Sequence, residues 1–286
     1  MVPCMQIPEG YERVRSGAAD ILVRSDYRDR LLAQGIARPD LLLQAGLTGN
    51  DRRRGRGRIG VVPLAGEPGT RMIIRQCLRG GLVRWVNRDR YLSGSRPFEE
   101  LRVNAQAAAA GIPTARVLAA VALRTRSGLC RSYLIVQELD GCADLPAYLS
   151  AARQRDPAGF FETKRRLLRV LALLIRRMHD QGIHHGDLNM KIILVDTRHP
   201  DRLFLIDWDK SRVVSRLSAA ARRANTLRLC RSIVKQGRLG VPVGARDAAY
   251  FLRAYSDNPR QVRRDLVRLR FSTGLRALFW KRSPAS

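Results

Sequence analysis

The chain has 286 residues, of which 53 are lysine or arginine and 25 are aspartate or glutamate, so its formal net charge is +28. Hydrophobic residues make up 45% of the chain, which is enough for a core and excludes a wholly disordered protein. A membrane-spanning helix needs about 20 mostly apolar residues, and arginines interrupt the best candidate, 167–178. The charge predicts an anionic partner: nucleic acid, an acidic membrane surface or a phosphorylated ligand.

The cysteines and the N-terminus bear on the cellular compartment. The chain has five cysteines, which are scattered and never spaced Cys-x-x-Cys, and four histidines. Neither a disulfide framework nor a zinc site is therefore predicted. The first ten residues lack the basic and apolar segments of a secretory signal peptide. These features predict free thiols in the reducing cytoplasm.

The first half of the chain alternates short apolar runs with turn-forming residues, a pattern typical of strands. One segment differs: it is rich in Ala, Glu, Leu and Arg and stops at Gly111-Ile-Pro, as a helix would. We predict a helix over 98–110 and strands at 72–75, 117–123 and 133–138, whereas a glycine-rich basic stretch runs into Val61 and Val62.

Helical periodicity dominates after about residue 140. Residues 160–179 place apolar side chains every three or four positions, with arginines on the other face. Two strand-like runs follow at 192–196 and 203–207, and 216–282 is predicted to be helical. The sequence therefore predicts an α+β fold of two lobes, a β-rich N-lobe over 1–139 and a helical C-lobe over 140–286.

Three glycines open the first candidate site. Gly55, Gly57 and Gly60 match the pattern G-x-G-x-x-G-x-V, in which backbone N–H groups can lie close to phosphates. The pattern is weak alone, because the chain has 23 glycines and a flexible basic loop would look the same.

A stronger signal follows the long helix. In His185-Gly-Asp-Leu-Asn, Asp187 is placed to orient a substrate hydroxyl and accept its proton, as in phosphoryl transfer. Asp207 leaves an apolar strand 20 residues later, a position suited to a Mg²⁺ ligand beside bound ATP. Asp209 either assists that metal or satisfies a turn. The pair of segments predicts a phosphotransferase.

Such an enzyme also needs groups that hold the nucleotide. Arg75 lies where a cation would bind the α- and β-phosphates, and Glu100, rather than Glu99, is the candidate partner. A strand that ends near Glu138 resembles the segment that binds adenine through backbone groups. For each of these residues, a surface ion pair or a simple strand end explains the sequence equally well.

These residues resemble the protein-kinase-like superfamily and, within it, the bacterial lipopolysaccharide kinases, above all those that act on 3-deoxy-D-manno-octulosonic acid (Kdo). The resemblance covers most of the chain, about residues 8–256. Its marks are Arg79-Gly80-Gly81, Asp89-Arg-Tyr-Leu, Arg96-Pro-Phe-Glu-Glu-Leu, Gly111-Ile-Pro, His185-Gly-Asp-Leu-Asn, Ile206-Asp-Trp-Asp-Lys and the segment 225–235.

The resemblance implies an enzyme that uses ATP and Mg²⁺ to phosphorylate a Kdo hydroxyl, at the 4-position, on a lipid A precursor. It implies that Asp187 acts with Asn189 and His185 in a catalytic loop. It also implies a cytoplasmic protein that associates peripherally with the anionic inner face of the inner membrane. The sequence predicts no oligomeric state.

One position departs from the family pattern. The pattern puts an asparagine that binds a second metal five residues after the catalytic aspartate, and here that residue is Ile192, which has no ligating atom. Asn189 is close in sequence, but its place suggests support of the loop or of the substrate. The enzyme therefore either works with one protein-held metal or is impaired.

Other functions stay open at this point. A small-molecule kinase similar to aminoglycoside phosphotransferases would share the His-Gly-Asp and Ile-Asp-Trp segments, and Ile192 is compatible with a pseudokinase. A basic nucleic-acid-binding protein is a further alternative. No recognised nucleic-acid motif is present and aromatic residues make up only 6%, so no specific nucleic acid is expected.

The C-terminal segment allows two interpretations. Val262, Leu266 and Leu269 form one helical stripe, whereas Arg263, Arg264, Arg268 and Arg270 lie mostly elsewhere. The segment is either a surface helix that binds anionic headgroups or a helix that packs its stripe on the lobe and exposes its arginines.

Overall fold

The structure is a computed structural model and describes residues 6–47, 59–77, 95–125 and 129–280. Gly55, Gly57, Arg79-Gly80-Gly81 and Asp89-Arg-Tyr-Leu lie outside these residues. The chain divides into two compact units, which are Met1–Ala109 with Ala115–Asp140, and Ala110–Thr114 with Gly141–Ser286. No helix in the described part of the chain is long and apolar enough to cross a membrane.

The first unit is built on a six-stranded sheet in which all hydrogen-bonded neighbours are antiparallel. The order of the strands is β1-β2-β5-β6-β4-β3. Its strands are β1 (Tyr11–Ser16), β2 (Ala19–Arg24), β3 (Ile59–Pro63), β4 (Arg71–Cys77), β5 (Val117–Arg124) and β6 (Cys130–Gln137). Its helices are a 3-10 turn (Ser25–Tyr27), α1 (Arg28–Ala33), α2 (Pro39–Ala45) and α3 (Arg96–Ala109).

Helices cover this sheet on both faces. Ala119 and Val121 of β5 belong to a core cluster with Leu31 of α1 and Leu43 of α2. Ala120 and Ala122, one step along the strand, belong to a second cluster with residues of α3, Phe98 and Leu101. Burial on both faces explains why β5 is a continuous apolar run rather than an alternating one.

The second unit is mainly helical and carries two small antiparallel sheets, ordered β10-β9-β7 and β11-β8. Its strands are β7 (Cys142–Asp144), β8 (Ile183–His184), β9 (Ile193–Asp196), β10 (Leu203–Leu205) and β11 (Arg212–Val213). Its helices are α4 (Leu145–Arg155), α5 (Phe160–Asp180), a 3-10 turn (Met190–Ile192), α6 (Ala219–Arg238), α7 (Ala245–Tyr255) and α8 (Pro259–Trp280).

The apolar side chains predicted to form one stripe of α5 are the ones that it buries. Leu167, Leu171, Ile175 and Met178 are all buried, at spacings of three or four residues. Full burial of each such side chain stabilises the folded state by about 1.5–3 kcal/mol. The apolar stripe therefore anchors α5, and the residues that follow it enter the predicted catalytic loop directly.

The Gly111-Ile-Pro region belongs to the second unit, although it falls within the N-lobe predicted from the sequence, residues 1–139. The N–H of Leu205 donates to Pro113 O at 2.9 Å, and Thr114 forms a parallel bridge with Leu205. Trp208 Nε1 donates to Thr114 Oγ1 at 2.8 Å. This short segment therefore braces the strand that leads to Asp207.

Candidate functional site

In the first unit, Arg75 of β4 forms an ion pair with Glu100 of α3. Glu100 is 4% exposed, whereas Glu99 is exposed to solvent. A buried carboxylate needs a cationic or hydrogen-bonding partner, because burial otherwise penalises its charge. Helix α3 therefore presents Glu100, the glutamate favoured by the sequence, to Arg75, the predicted phosphate-binding cation.

Gly60, the described member of the glycine pattern, lies in β3 and packs against α2. A Cβ atom at this position would lie 2.7 Å from Leu43 O, closer than real contacts allow. This approach of helix to strand is enough to require glycine at position 60. Gly55 and Gly57 remain predictions, because they lie outside the described residues.

Glu138 directly follows β6 and is engaged with β4. Its N–H donates to Arg71 O at 2.8 Å, and its carboxylate lies 2.6 Å from Arg71 Nε. Sequence reasoning considered this residue as part of an adenine-binding segment. The structure shows that its N–H group already extends the pairing of the sheet.

In the second unit, the predicted catalytic loop packs tightly on the segment that carries Asp207 and Asp209. A Cβ atom at Gly186 would lie 2.5 Å from Asp209 O, so only glycine fits between His185 and Asp187. The N–H of Gly186 donates to Ser211 Oγ at 2.9 Å. The two aspartate-bearing segments are thus held against each other at Gly186.

His185 is fully buried and fixes the shape of this loop. Its Nδ1 accepts from the Asp187 N–H at 3.2 Å, so its Nε2 carries the proton and donates to Ile206 O at 3.1 Å. Burial lowers the pKa of His185 to about 4. The imidazole is therefore neutral at pH 7 and links the residue before Asp207 to the backbone of Asp187.

Asn189 also fixes the backbone of this loop. Its Nδ2 donates to Asp187 O at 2.8 Å, and its Oδ1 accepts from the Lys191 N–H at 2.9 Å as the cap of the 3-10 turn. Ile192 ends that turn, is 7% exposed, and its carbonyl accepts from the Ile206 N–H at 3.0 Å. Position 192 is therefore an apolar packing position here.

Asp207 has a backbone conformation that few residues adopt. Its φ is +65°, and Lys210 in the same turn has φ +59°. Aspartate tolerates this left-handed region better than most residues because its short polar side chain can hydrogen-bond locally. Trp208 is buried between them, and its ring lies 4.9 Å from the His185 ring. The turn is thus braced by the loop that carries Asp187.

The donor chemistry of this unit suits one kind of metal site. Among the described residues, no group of three or more His, Cys, Asp or Glu side chains could hold a metal ion. These described residues thus do not form a metal site from protein ligands alone. Mg²⁺ commonly takes one or two carboxylates and completes its shell with phosphate oxygens and water. Asp207 and Asp209 fit that arrangement.

One face of α6 holds the predicted catalytic loop, a role that the sequence did not indicate. Asn225, Arg228 and Ser232 lie three and four residues apart, on one side of the helix. Asn225 Nδ2 donates to His185 O at 2.8 Å, and Ser232 Oγ accepts from the Met190 N–H at 3.1 Å. Arg228 forms an ion pair with Asp187. The only sequence signal was polar residues at helical spacing in a segment marked by the resemblance.

Behind this face lies a buried polar chain that joins three helices. His179 of α5 donates through Nε2 to Asn225 Oδ1 at 3.0 Å, and its Nδ1 accepts from Tyr255 Oη of α7 at 2.7 Å. Burial lowers the pKa of His179 to about 4 and raises that of Tyr255. Both groups are neutral at pH 7, so these hydrogen-bonded side chains support the loop without burying a charge.

The chain is similar to proteins of one known family. The model of the lipopolysaccharide kinase (Kdo/WaaP) family matches residues 43–255. A 3-deoxy-D-manno-octulosonic acid kinase of Actinobacillus succinogenes is 31% identical over 195 residues, which are 66% of this chain and 77% of that protein. One of Xanthomonas oryzae pv. oryzae is 34% identical over 173 residues, and this match spans 64%, less than two thirds, of its length.

Among solved structures, WaaP in complex with acyl carrier protein has a TM-score of 0.60. The match covers 90% of this chain and 97% of WaaP at 21% sequence identity. The likeness shows a shared fold and confirms the predicted protein-kinase-like architecture. The family model matches most of the chain, and this match shows that the chain belongs to the lipopolysaccharide kinase (Kdo/WaaP) family.

Proposed function

We propose that the protein transfers the γ-phosphoryl group of ATP to a Kdo hydroxyl, at the 4-position, of a lipid A precursor. The observation that carries this proposal is the braced loop that presents Asp187 in a member of a kinase family. The curated relatives are named for kinase activity on this sugar acid. Their names supply the acceptor, and the loop supplies the chemistry.

In the proposed reaction, Asp187 orients the acceptor hydroxyl and takes its proton. The hydroxyl oxygen forms a bond to the γ-phosphorus while the bond to the ADP oxygen breaks. His185 and Asn189 hold the backbone of Asp187 by the hydrogen bonds described above, so we regard them as positioning residues. Positioning of this kind supplies most of the catalysis in phosphoryl transfer.

Each unit carries residues that we assign to nucleotide or metal binding. We assign Arg75 to the α- and β-phosphates and Glu100 to the orientation of Arg75. Asp207, with Asp209 as a second carboxylate, would hold the Mg²⁺ that neutralises charge on the phosphates. The glycine stretch from Gly55 to Gly60 would cover them, and the segment at Glu138 would contact adenine.

The proposed site of action is the anionic cytoplasmic face of the inner membrane. Val262 and Leu269 of α8 are buried, so the apolar stripe packs on the lobe as one of the two interpretations expected. The opposite face exposes Val267 and Phe271, which are 49% and 68% accessible. Exposed arginines surround them: Arg263, Arg264, Arg268 and Arg270. Exposed apolar groups among cations favour binding to anionic lipid.

A transfer assay tests the proposed function. Radiolabelled ATP and Mg²⁺ are incubated with Kdo₂–lipid IV-A or with an aminoglycoside. We expect label in the glycolipid alone, and its loss in Asp187→Ala but not in the control Asp201→Ala, an exposed carboxylate on the same unit. Label in the aminoglycoside would support the small-molecule alternative. ATP binding without transfer to either acceptor would support a pseudokinase.

A further inference from the structure

The ion pair between Arg228 and Asp187 places a cation directly on the carboxylate that the proposed function uses as a base. Their side chains are 49% and 48% exposed, so a substrate can reach both. A guanidinium that occupies a carboxylate oxygen competes with an incoming hydroxyl for the same acceptor. An acceptor that offers Arg228 another anion would favour the release of Asp187.

Further nitrogen groups lie around this pair. Arg212 of β11 stands opposite His184 of β8 in register, so their side chains lie on the same side of the two-stranded ladder. After burial, which has the largest effect, the guanidinium groups of Arg212 and Arg228 both lower the pKa of His184. His184 Nδ1 is buried without a hydrogen-bond partner among the described residues.

Strand β8 pairs with β11, which carries Arg212, and contacts α6, which carries Arg228. Within the described parts of the chain, Arg212 has no carboxylate partner, and Arg228 has only Asp187. Two guanidinium groups match a small planar anion, which arginine binds with its fork of N–H donors.

We propose that Arg228, with Arg212, binds the carboxylate of the acceptor sugar acid. This inference rests on the proposed function, and it adds a specificity-determining site. When the acceptor carboxylate takes Arg228, Asp187 is released for the sugar hydroxyl. A neutral sugar of the same shape leaves Asp187 paired and is phosphorylated slowly. The carboxylate of the substrate thus frees Asp187 to act as the base.

The test compares the Kdo glycolipid with the same glycolipid carrying Kdo methyl esters. We expect the wild type to prefer the acid by about 10- to 100-fold in kcat/KM, the range of a hydrogen bond to a charged group. Arg228→Gln reduces that preference to nearly one, mainly by raising KM for the acid. Arg228→Lys keeps part of it, and Arg169→Gln, which removes an exposed arginine of α5, keeps all of it.

Other anions are distinguished by the same measurements. If Arg228 binds a phosphate of ATP instead, the variant raises KM for ATP and leaves the preference intact, which overturns the inference. An equal rate on acid and ester by the wild type also overturns it while the proposed function stands. Binding of free Kdo is measured by calorimetry independently of turnover. Binding that is equal in wild type and Arg228→Gln overturns the site even if no phosphoryl transfer is found.

Discussion

The two units hold their candidate functional carboxylates by different means. In the first, Glu100 is buried and paired with Arg75, so two charged side chains fix each other. In the second, Asp187 is half exposed, and neutral groups such as His185 and Asn225 hold the backbone around it. Loss of one partner therefore leaves a buried charge in the first unit, but loosens a loop in the second. The first change should act mainly on stability, and the second on turnover as well.

The sharpest test of this contrast is Asp187→Asn. We expect kcat to fall by about 10²- to 10⁴-fold, because the amide cannot accept the proton. The free energy of unfolding should change little, since the carboxylate is half exposed. Turnover and urea denaturation are measured on the same sample, with Asp201→Asn as control. A loss of stability as large as the loss of activity would contradict the contrast.

In the first unit, Arg75→Met should show the opposite pattern of effects on folding. It leaves the buried Glu100 without the cation it is paired with, and we expect a loss of about 3 kcal/mol in the free energy of unfolding. The double variant Arg75→Met, Glu100→Leu should recover part of this loss, because it removes the buried charge as well. Equal stability of the single and double variants would show that the pair does not carry the effect.

The network of the second unit is tested by Asn225→Leu. This change leaves His179 Nε2 and the carbonyl of His185 without their partners, and we expect a loss of about 2 kcal/mol in stability. Because the loop that carries Asp187 is loosened, kcat should also fall by about 10-fold, with KM for ATP unchanged. Thr226→Ser, a mild change at the next helix position, is the control. A fall in stability with normal kcat would make the network purely structural.

Acid should weaken the same network. The pKa of His179 is about 4 when folded, against 6.5 as its usual value, so the unfolded chain binds more protons between these pH values. Stability is complete above about pH 6.5 and declines as the pH falls towards 4, by about 1 to 2 kcal/mol at pH 5. Denaturation at pH 7 and pH 5 should show a smaller difference in His179→Asn than in wild type. The exposed His199→Asn should behave as wild type.

The smallest effect concerns Ile192. Replacement by asparagine restores a ligating atom at the position where the family pattern binds a second metal, and we expect kcat to rise by a few fold, about 1 kcal/mol at most in the barrier. The side chain is buried, so some stability is lost as well. Ile192→Val, which keeps the apolar contact, is the matched control. An unchanged or lower kcat would show that the missing ligand does not limit the enzyme.

The sequence predicted the elements with long or strongly patterned signals. The stripe of α5, the strands β4, β5 and β6, and the buried Glu100 all follow from apolar spacing and residue type. The hairpin β1–β2 was not predicted, and neither were the helices α1 and α2, which at six and seven residues are shorter than two helical turns. Local pattern is therefore informative only where an element is long enough to repeat it.

The supporting residues of the second unit could not be found in this way. Asn225 contacts His185 across 40 residues, and Arg228 contacts Asp187 across 41. Nothing in the local sequence distinguishes Arg228 from the many other arginines of a chain with 53 basic residues. Only the packing of α6 on the loop selects it. Contacts between distant residues decide which polar groups of a helix have a function.

The segment Ala110–Thr114 has a consequence for how the protein can be divided. Because it lies with the second unit, the chain passes between the units three times, after residues 109, 114 and 140. Cleavage at a single point near 140 would give a C-terminal fragment without the parallel partner of Leu205. The indole N–H of the buried Trp208 would lose its acceptor as well. Adding the peptide 110–114 back should therefore improve the folding of that fragment.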